Sequence, residues 1–329
     1  MSDWRALAPA ALERAYNARA TVTDIEAELQ AYRACSSPMY QRLPCQVGLR
    51  YGESSDETLD FFPLPGRTDA PLFVFIHGGY WRALCKEDSV FMAENFTSLG
   101  IAVAALDYSL APAADLSVMV AQCRRAVAWL GHNSRSLGVD AGRMVVAGSS
   151  AGAHLAAMVL NDASLSAAKP LGGLLVSGLF DLEPLRHTLP NSWLKLSAEQ
   201  AQALSPQHHL PAPGCALQVV VAEHDTDEFK RQSRDYAQAC SAAGRPTVFY
   251  ELAGRNHFDV ILDWTRPDTA LTGSALALLG MAACDRLAGA SAALGFSSRP
   301  RCSGGAGRWP RWDQPVEFGH RPPSPWAAR

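Results

Sequence analysis

Apolar residues along the chain gather in short runs, and stretches with helical spacing lie between those runs. Leu72–Ile76, residues 101–107, Met144–Gly148, residues 171–178, Ala216–Ala222 and Thr247–Leu252 are rich in β-branched and aromatic side chains. Runs this short, without polar alternation, predict strands of a buried sheet. Residues 86–99, 115–137, 151–160 and 228–243 carry the spacing expected of helices that cover such a sheet. Strand and helix in strict alternation demand an α/β fold with a mostly parallel sheet and helices on both faces. Ahead of this rhythm, residues 7–35 predict a helical arm. Gln46–Tyr51 and Thr58–Pro63 predict an antiparallel strand pair around a polar Gly-Glu-Ser-Ser-Asp turn.

The rhythm breaks between Phe180 and Pro213, where prolines at 184, 190, 206 and 211 alternate with Leu185, Leu189, Trp193 and Leu196. That pattern predicts a small helical insertion, a lid at about 180–213 on a catalytic domain of residues 1–290. The last core helix is expected near residues 268–286. From Ser297 onward there are six Pro and six Arg against Asp313 and Glu317, with no apolar periodicity. A segment of this composition cannot offset its ordering entropy, so 291–329 is expected to be a disordered basic tail.

Composition narrows the function class. The chain has 329 residues, 48% hydrophobic and 19% charged, which is an ordinary soluble-enzyme balance. A net charge of −3 argues against a nucleic-acid or membrane-surface partner. No apolar run approaches the roughly 20 residues of a membrane span. Met1-Ser2-Asp3-Trp4-Arg5 does not open a secretory signal. The eight cysteines have no framework spacing and read as reduced thiols, so a cytoplasmic protein is expected.

Two segments carry chemistry. Gly148-Ser149-Ser150-Ala151-Gly152 stands between a predicted strand and a predicted helix, as a G-x-S-x-G nucleophile elbow does. His77-Gly78-Gly79-Tyr80-Trp81 follows an earlier strand, where an α/β-hydrolase places its oxyanion loop. Ser150 is the expected nucleophile, on a turn tight enough to need side-chain-free neighbours at Gly148 and Gly152. The backbone N–H groups of Gly78, Gly79 and Ala151 are the expected oxyanion hole, helped by the N-terminal end of the following helix.

A serine nucleophile needs a base, and the base needs an orienting acid, in the chain order Ser, Asp or Glu, His. Asp225 stands at the end of the run Ala216–Ala222 and is the expected acid. Asp227 is its rival, in a place that also suits the first turn of a helix. His257, on a Gly- and Asn-containing loop one strand later, is the expected base. His77 is expected to hold the oxyanion loop, His154 to be packed on its helix, and His208 and His209 to be solvated. No C-x-x-C, H-E-x-x-H or H-x-x-x-H spacing occurs, so neither metal nor other cofactor is expected.

With these motifs the chain resembles the kynurenine formamidase (arylformamidase) family of α/β-hydrolases, related to the hormone-sensitive-lipase-like esterases. The likeness runs over about residues 10–285. It includes Leu12-Glu13-Arg14-Ala15-Tyr16-Asn17, Tyr51-Gly52, Leu59-Asp60-Phe61-Phe62-Pro63, His77–Trp81, Asp107-Tyr108 and Ala111-Pro112. It continues through Gly148–Leu155, His224–Phe229, Arg231-Gln232-Ser233 and His257-Phe258. The resemblance implies a Ser150–Asp225–His257 triad that hydrolyses N-formyl-L-kynurenine to L-kynurenine and formate. A general carboxylesterase or aryl-amide or carbamate hydrolase with the same triad is the alternative. Tyr80, Trp81 and Trp193 are expected to wall an aryl pocket, and Arg82 and Arg255 are the nearest cations for the substrate's amino-acid end. The expected partner is a small aryl amide or ester, with a homodimer left open.

Overall fold

The computed structural model describes residues 4–281 except 163, 166, 167 and 169, so the expected 291–329 tail lies outside the described residues. Eight strands form one sheet: β1 Gln46–Arg50, β2 Thr58–Phe62, β3 Ala70–Ile76, β4 Ala102–Leu106, β5 Val139–Ser149, β6 Gly172–Val176, β7 Ala216–Ala222 and β8 Thr247–Leu252. Their order is β1-β2-β4-β3-β5-β6-β7-β8. β1 and β2 are antiparallel, as are β2 and β4; every other neighbouring pair is parallel.

The central strands read as unbroken apolar runs because both faces of the sheet are covered. Leu72, Val74 and Ile76 of β3 pack into one core with Met119, Val120 and Val127 of the helix Leu116–His132 and with Leu155 and Val159 of the helix Ala151–Leu160. The intervening Phe73 and Phe75 enter the opposite core, edge-on to Phe96 and Phe91 respectively, and both meet the ring of Trp264. Each such buried aromatic contributes about 1.5–3 kcal/mol of transfer free energy. All ten residues of Ala151–Leu160 are buried, which fixes the helix that carries the elbow.

Element type agrees with the sequence reading nearly everywhere, and the differences lie where helices were expected to be long. The arm predicted over 7–35 is two helices, Pro9–Ala15 and Ile25–Ser36, with a 3-10 turn at Ala18–Thr21 between them. Asp24 starts the second helix by accepting from the Ala27 N–H at 3.1 Å. The helix expected over 86–99 is a 3-10 turn, Lys86–Asp88, followed by Ala93–Ser98, because the Val90 N–H donates to the Ser36 hydroxyl oxygen at 3.2 Å instead of back to the Lys86 carbonyl. The stretch 115–137 divides into Leu116–His132 and Ser134–Leu137, ended by Gly138 at φ 71°. The last described helix is Ala270–Leu278. The insertion at 180–213 holds two short helices, Asn191–Leu194 and Ala198–Ala203, between 3-10 turns.

Candidate active site

β5 ends at Ser149 and the helix starts at Ala151, leaving Ser150 alone at the turn with φ 57° and ψ −122°. A non-glycine residue in that state carries about 1–3 kcal/mol of strain, which the surrounding packing holds in place. The Ser150 N–H donates to the Val176 carbonyl at 2.8 Å, tying the elbow to the end of β6. A Cβ on Gly148 would run into the Gly152 carbonyl, and one on Gly152 into the carbonyls of Ile76 and His77. Both glycines are therefore required by close backbone approach.

The His77–Trp81 loop, the expected oxyanion loop, is anchored from behind. The His77 ring stacks on Tyr108 at 4.5 Å, and its Nδ1 meets the Gly78 carbonyl at 3.0 Å. Tyr108 donates its hydroxyl to the carbonyls of His77, at 3.0 Å, and Gly78, at 3.3 Å. In a trans peptide the next residue's N–H points opposite to the carbonyl. The amides of Gly78 and Gly79 are thus turned away from the His77–Tyr108 stack. Gly78 lies against the elbow: a Cβ there would come 2.8 Å from the Ser149 carbonyl oxygen and 3.3 Å from the Ser150 Cβ. Burial pushes the His77 pKa down, so the ring stays neutral.

Behind His77 lies a buried polar chain that sequence reading did not find. The Asp107 carboxylate accepts from the Lys86 backbone N–H at 2.7 Å and from its Nζ at 3.1 Å, and lies 3.7 Å from His77 Nε2. Burial alone would lower the Lys86 pKa, but Glu87, Asp107 and Asp60 outweigh it and keep the ammonium charged. The Asp-Tyr pair after β4 was visible; its role depends on β3 and β4 lying side by side.

Asp225 and His257 meet at the carboxyl ends of β7 and β8. His257 Nδ1 lies 2.5 Å from Asp225 Oδ1, and the two side chains are 4% and 0% exposed. Asp225 Oδ2 accepts from the Ala222 N–H at 3.0 Å and from the Ser177 hydroxyl at 2.5 Å. The rings of Phe229 and Phe258 stand edge-on to the His257 ring at 4.7 and 5.1 Å. Its rival Asp227 sits in the first turn of the helix Asp227–Ala242, where a carboxylate favours the helix dipole. His154 is fully buried, with Nε2 at 2.7 Å from the Leu204 carbonyl. Burial, against that hydrogen bond, pulls its pKa down to about 4. His208 and His209 are exposed.

Of the residues expected to wall an aryl pocket, the structure brings Tyr80 and Trp193 together. Trp193 donates Nε1 to the Tyr80 carbonyl at 3.1 Å, and the two rings stand at 82°, so the 180–213 insertion closes on the oxyanion loop. Trp81 is 0% exposed and edge-on to His154, which leaves it no surface for a ligand in this conformation. The guanidinium of Arg82 lies 4.5 Å over the Trp193 ring at the exposed edge of the loop. Arg255 is tied to Asp263 at 2.5 Å and to Asp259 at 3.6 Å.

The N-terminal arm joins this cluster. Tyr80 donates its hydroxyl to the Tyr16 carbonyl, and Thr226 donates its hydroxyl to the Ala15 carbonyl. The Tyr16 hydroxyl donates to buried Glu228 at 2.7 Å. A separate cavity of about 420 Å³, between Val120, Arg124, Met158, Asn161, Leu204 and His209, lies outside the cluster, and Arg124 there is already bonded to Met158 and Asn161. Among the described residues, no three His, Cys, Asp or Glu side chains are grouped to hold a metal ion, and no helix is long and apolar enough to cross a membrane.

Comparison with known proteins agrees with this geometry. The BD-FAE family matches residues 59–168, from β2 to beyond the elbow helix. The kynurenine formamidase of Danio rerio is 33% identical over 298 residues, covering 85% of this chain and 99% of that protein. The kynurenine formamidase of Salmo salar is 36% identical over 244 residues, covering 71% of this chain and 82% of that protein. A solved protein of Silicibacter sp. tm1040, described as a candidate thioesterase, is 30% identical with a TM-score of 0.71, covering 80% of this chain and 97% of its own. An eight-stranded sheet in this order, an elbow on β5 and this similarity over nearly the full length of the Danio rerio protein converge: the chain belongs to the kynurenine formamidase family of α/β-hydrolases.

Proposed function

We propose that the protein is a serine hydrolase that cleaves N-formyl-L-kynurenine to L-kynurenine and formate, with residues 1–290 as its catalytic domain. The observation that carries the chemistry is the buried Asp225–His257 pair at 2.5 Å, whose acid is held by Ser177, the residue after the Val176 that binds the strained Ser150 turn. The substrate is supported by the family relationship.

Ser150 Oγ attacks the formyl carbon while His257 Nε2 takes its proton. Asp225, held on Nδ1, fixes the tautomer that leaves Nε2 free to accept and stabilises the imidazolium that forms. The tetrahedral oxyanion is taken by the amides of Gly78, Gly79 and Ala151. Losing one such donor costs about 10²–10³ in rate. His257 then gives the proton to the aniline nitrogen as the C–N bond breaks, leaving a formyl ester on Ser150. Water, deprotonated by His257, attacks that ester, and formate leaves as Ser150 regains its proton. Tyr80 and Trp193 form the aryl side of the site, and Arg82 meets the carboxylate of the substrate's amino-acid end.

The test is the ratio of kcat/KM for N-formyl-L-kynurenine to that for p-nitrophenyl acetate. The proposal expects the formamide to react faster, with kcat/KM within the about 10⁴–10⁸ M⁻¹s⁻¹ of ordinary enzymes. Ester hydrolysis with no measurable formamide turnover would replace it by a general carboxylesterase with the same triad.

A further inference from the structure

We infer that Ser177 is a positioning residue for the acid of the triad, an inference that rests on the Asp225–His257 reading above. Ser177 is 0% exposed and follows the last residue of β6. The parallel register pairs Val176 with Val220, so the residue after β6 reaches the turn beyond β7 where Asp225 stands. Its backbone N–H donates to the Val220 carbonyl at 2.8 Å, which clamps the main chain, and its hydroxyl donates to Asp225 Oδ2 at 2.5 Å. That length matches a charge-assisted O–H···O⁻ bond.

Two features separate this from incidental packing. Ser177 has φ 49°, a left-handed conformation that glycine adopts without strain and serine does not. A residue chosen only for backbone shape would be glycine, as at Gly79, which has φ 93°. The hydroxyl also acts on the oxygen that His257 does not use. Oδ1 faces Nδ1 at 2.5 Å while Oδ2 is held by Ser177 and by the Ala222 N–H, so the carboxylate cannot rotate about its Cβ–Cγ bond. Ser177 therefore sets the angle at which Asp225 meets His257.

The experiment compares Ser177→Ala, Ser177→Gly and Ser177→Thr with wild type in kcat and KM, with thermal melting as a folding check. Loss of a hydrogen bond to a charged group predicts a fall in kcat of about tenfold to a hundredfold in the Ala and Gly variants. KM should change little. Ser177→Thr keeps the hydroxyl and should keep most of kcat, although a β-branched residue at this φ lowers the melting temperature. Should the Ala variant not fold, the Gly variant decides. Wild-type kcat in Ser177→Gly, a rise in KM as large as the fall in kcat, or no recovery of kcat in a folded Ser177→Thr, would overturn the inference. Asp225→Asn in parallel keeps the two readings apart: wild-type activity there would sink the triad itself.

Discussion

Ser150, Asp225 and His257 each occupy a conformation that their own neighbours enforce. Ser150 is held at φ 57° between the buried strand β5 and a buried helix, and the proposed acid has hydrogen bonds on both oxygens. Asp225 and Asp227, only two positions apart, have opposite surroundings. Asp225 has a side chain with 0% exposure, bonded to the imidazole, whereas Asp227 lies in the first turn of a helix. Asp225→Asn should lower kcat by about 10⁴, since an amide there favours the wrong imidazole tautomer. Asp227→Asn should cost at most about 1 kcal/mol of stability, the scale of a helix-end charge, and leave kcat near wild type. Steady-state kinetics on both variants checks this, and the reverse pattern of rate loss would move the acid to Asp227.

At the level of elements, the strands were legible because each central strand is apolar on both faces, and the Asp225–His257 pairing because its members follow adjacent strands β7 and β8. What stayed hidden depends on register between distant segments. Ser177 and Asp225 are 48 positions apart, and Tyr16 and Glu228 are 212 apart. No local pattern marks a serine after β6 as a partner of a carboxylate. The helix expected over 86–99 failed for the same reason, since the Val90 N–H that would continue its first turn donates to Ser36, 54 positions away. The cations differ in the same way: Asp259 and Asp263 occupy Arg255, while Arg82 rests on the Trp193 ring at the edge of the oxyanion loop. Arg82→Ala should raise KM for N-formyl-L-kynurenine by about tenfold to a hundredfold, the loss of one charge-assisted contact. It should leave kcat/KM for the uncharged p-nitrophenyl acetate within about twofold, because that ester has no carboxylate to lose. Equal losses on both substrates would show that Arg82 supports the loop rather than the ligand.

Across the whole molecule, distant parts of the chain converge on one edge of the sheet. The N-terminal arm reaches the oxyanion loop through Tyr16 and the acid loop through Ala15, and the 180–213 insertion reaches the same loop through Trp193. The central claim is that this convergence serves a single nucleophile, Ser150. The most direct measurement is titration of the full-length protein with a serine-directed fluorophosphonate while N-formyl-L-kynurenine hydrolysis is followed. Activity should fall in proportion to label and vanish at one equivalent, with the label on the peptide that carries Ser150 and none on Ser150→Ala. Hydrolysis that survives full labelling, or a label found on another residue, would contradict the account.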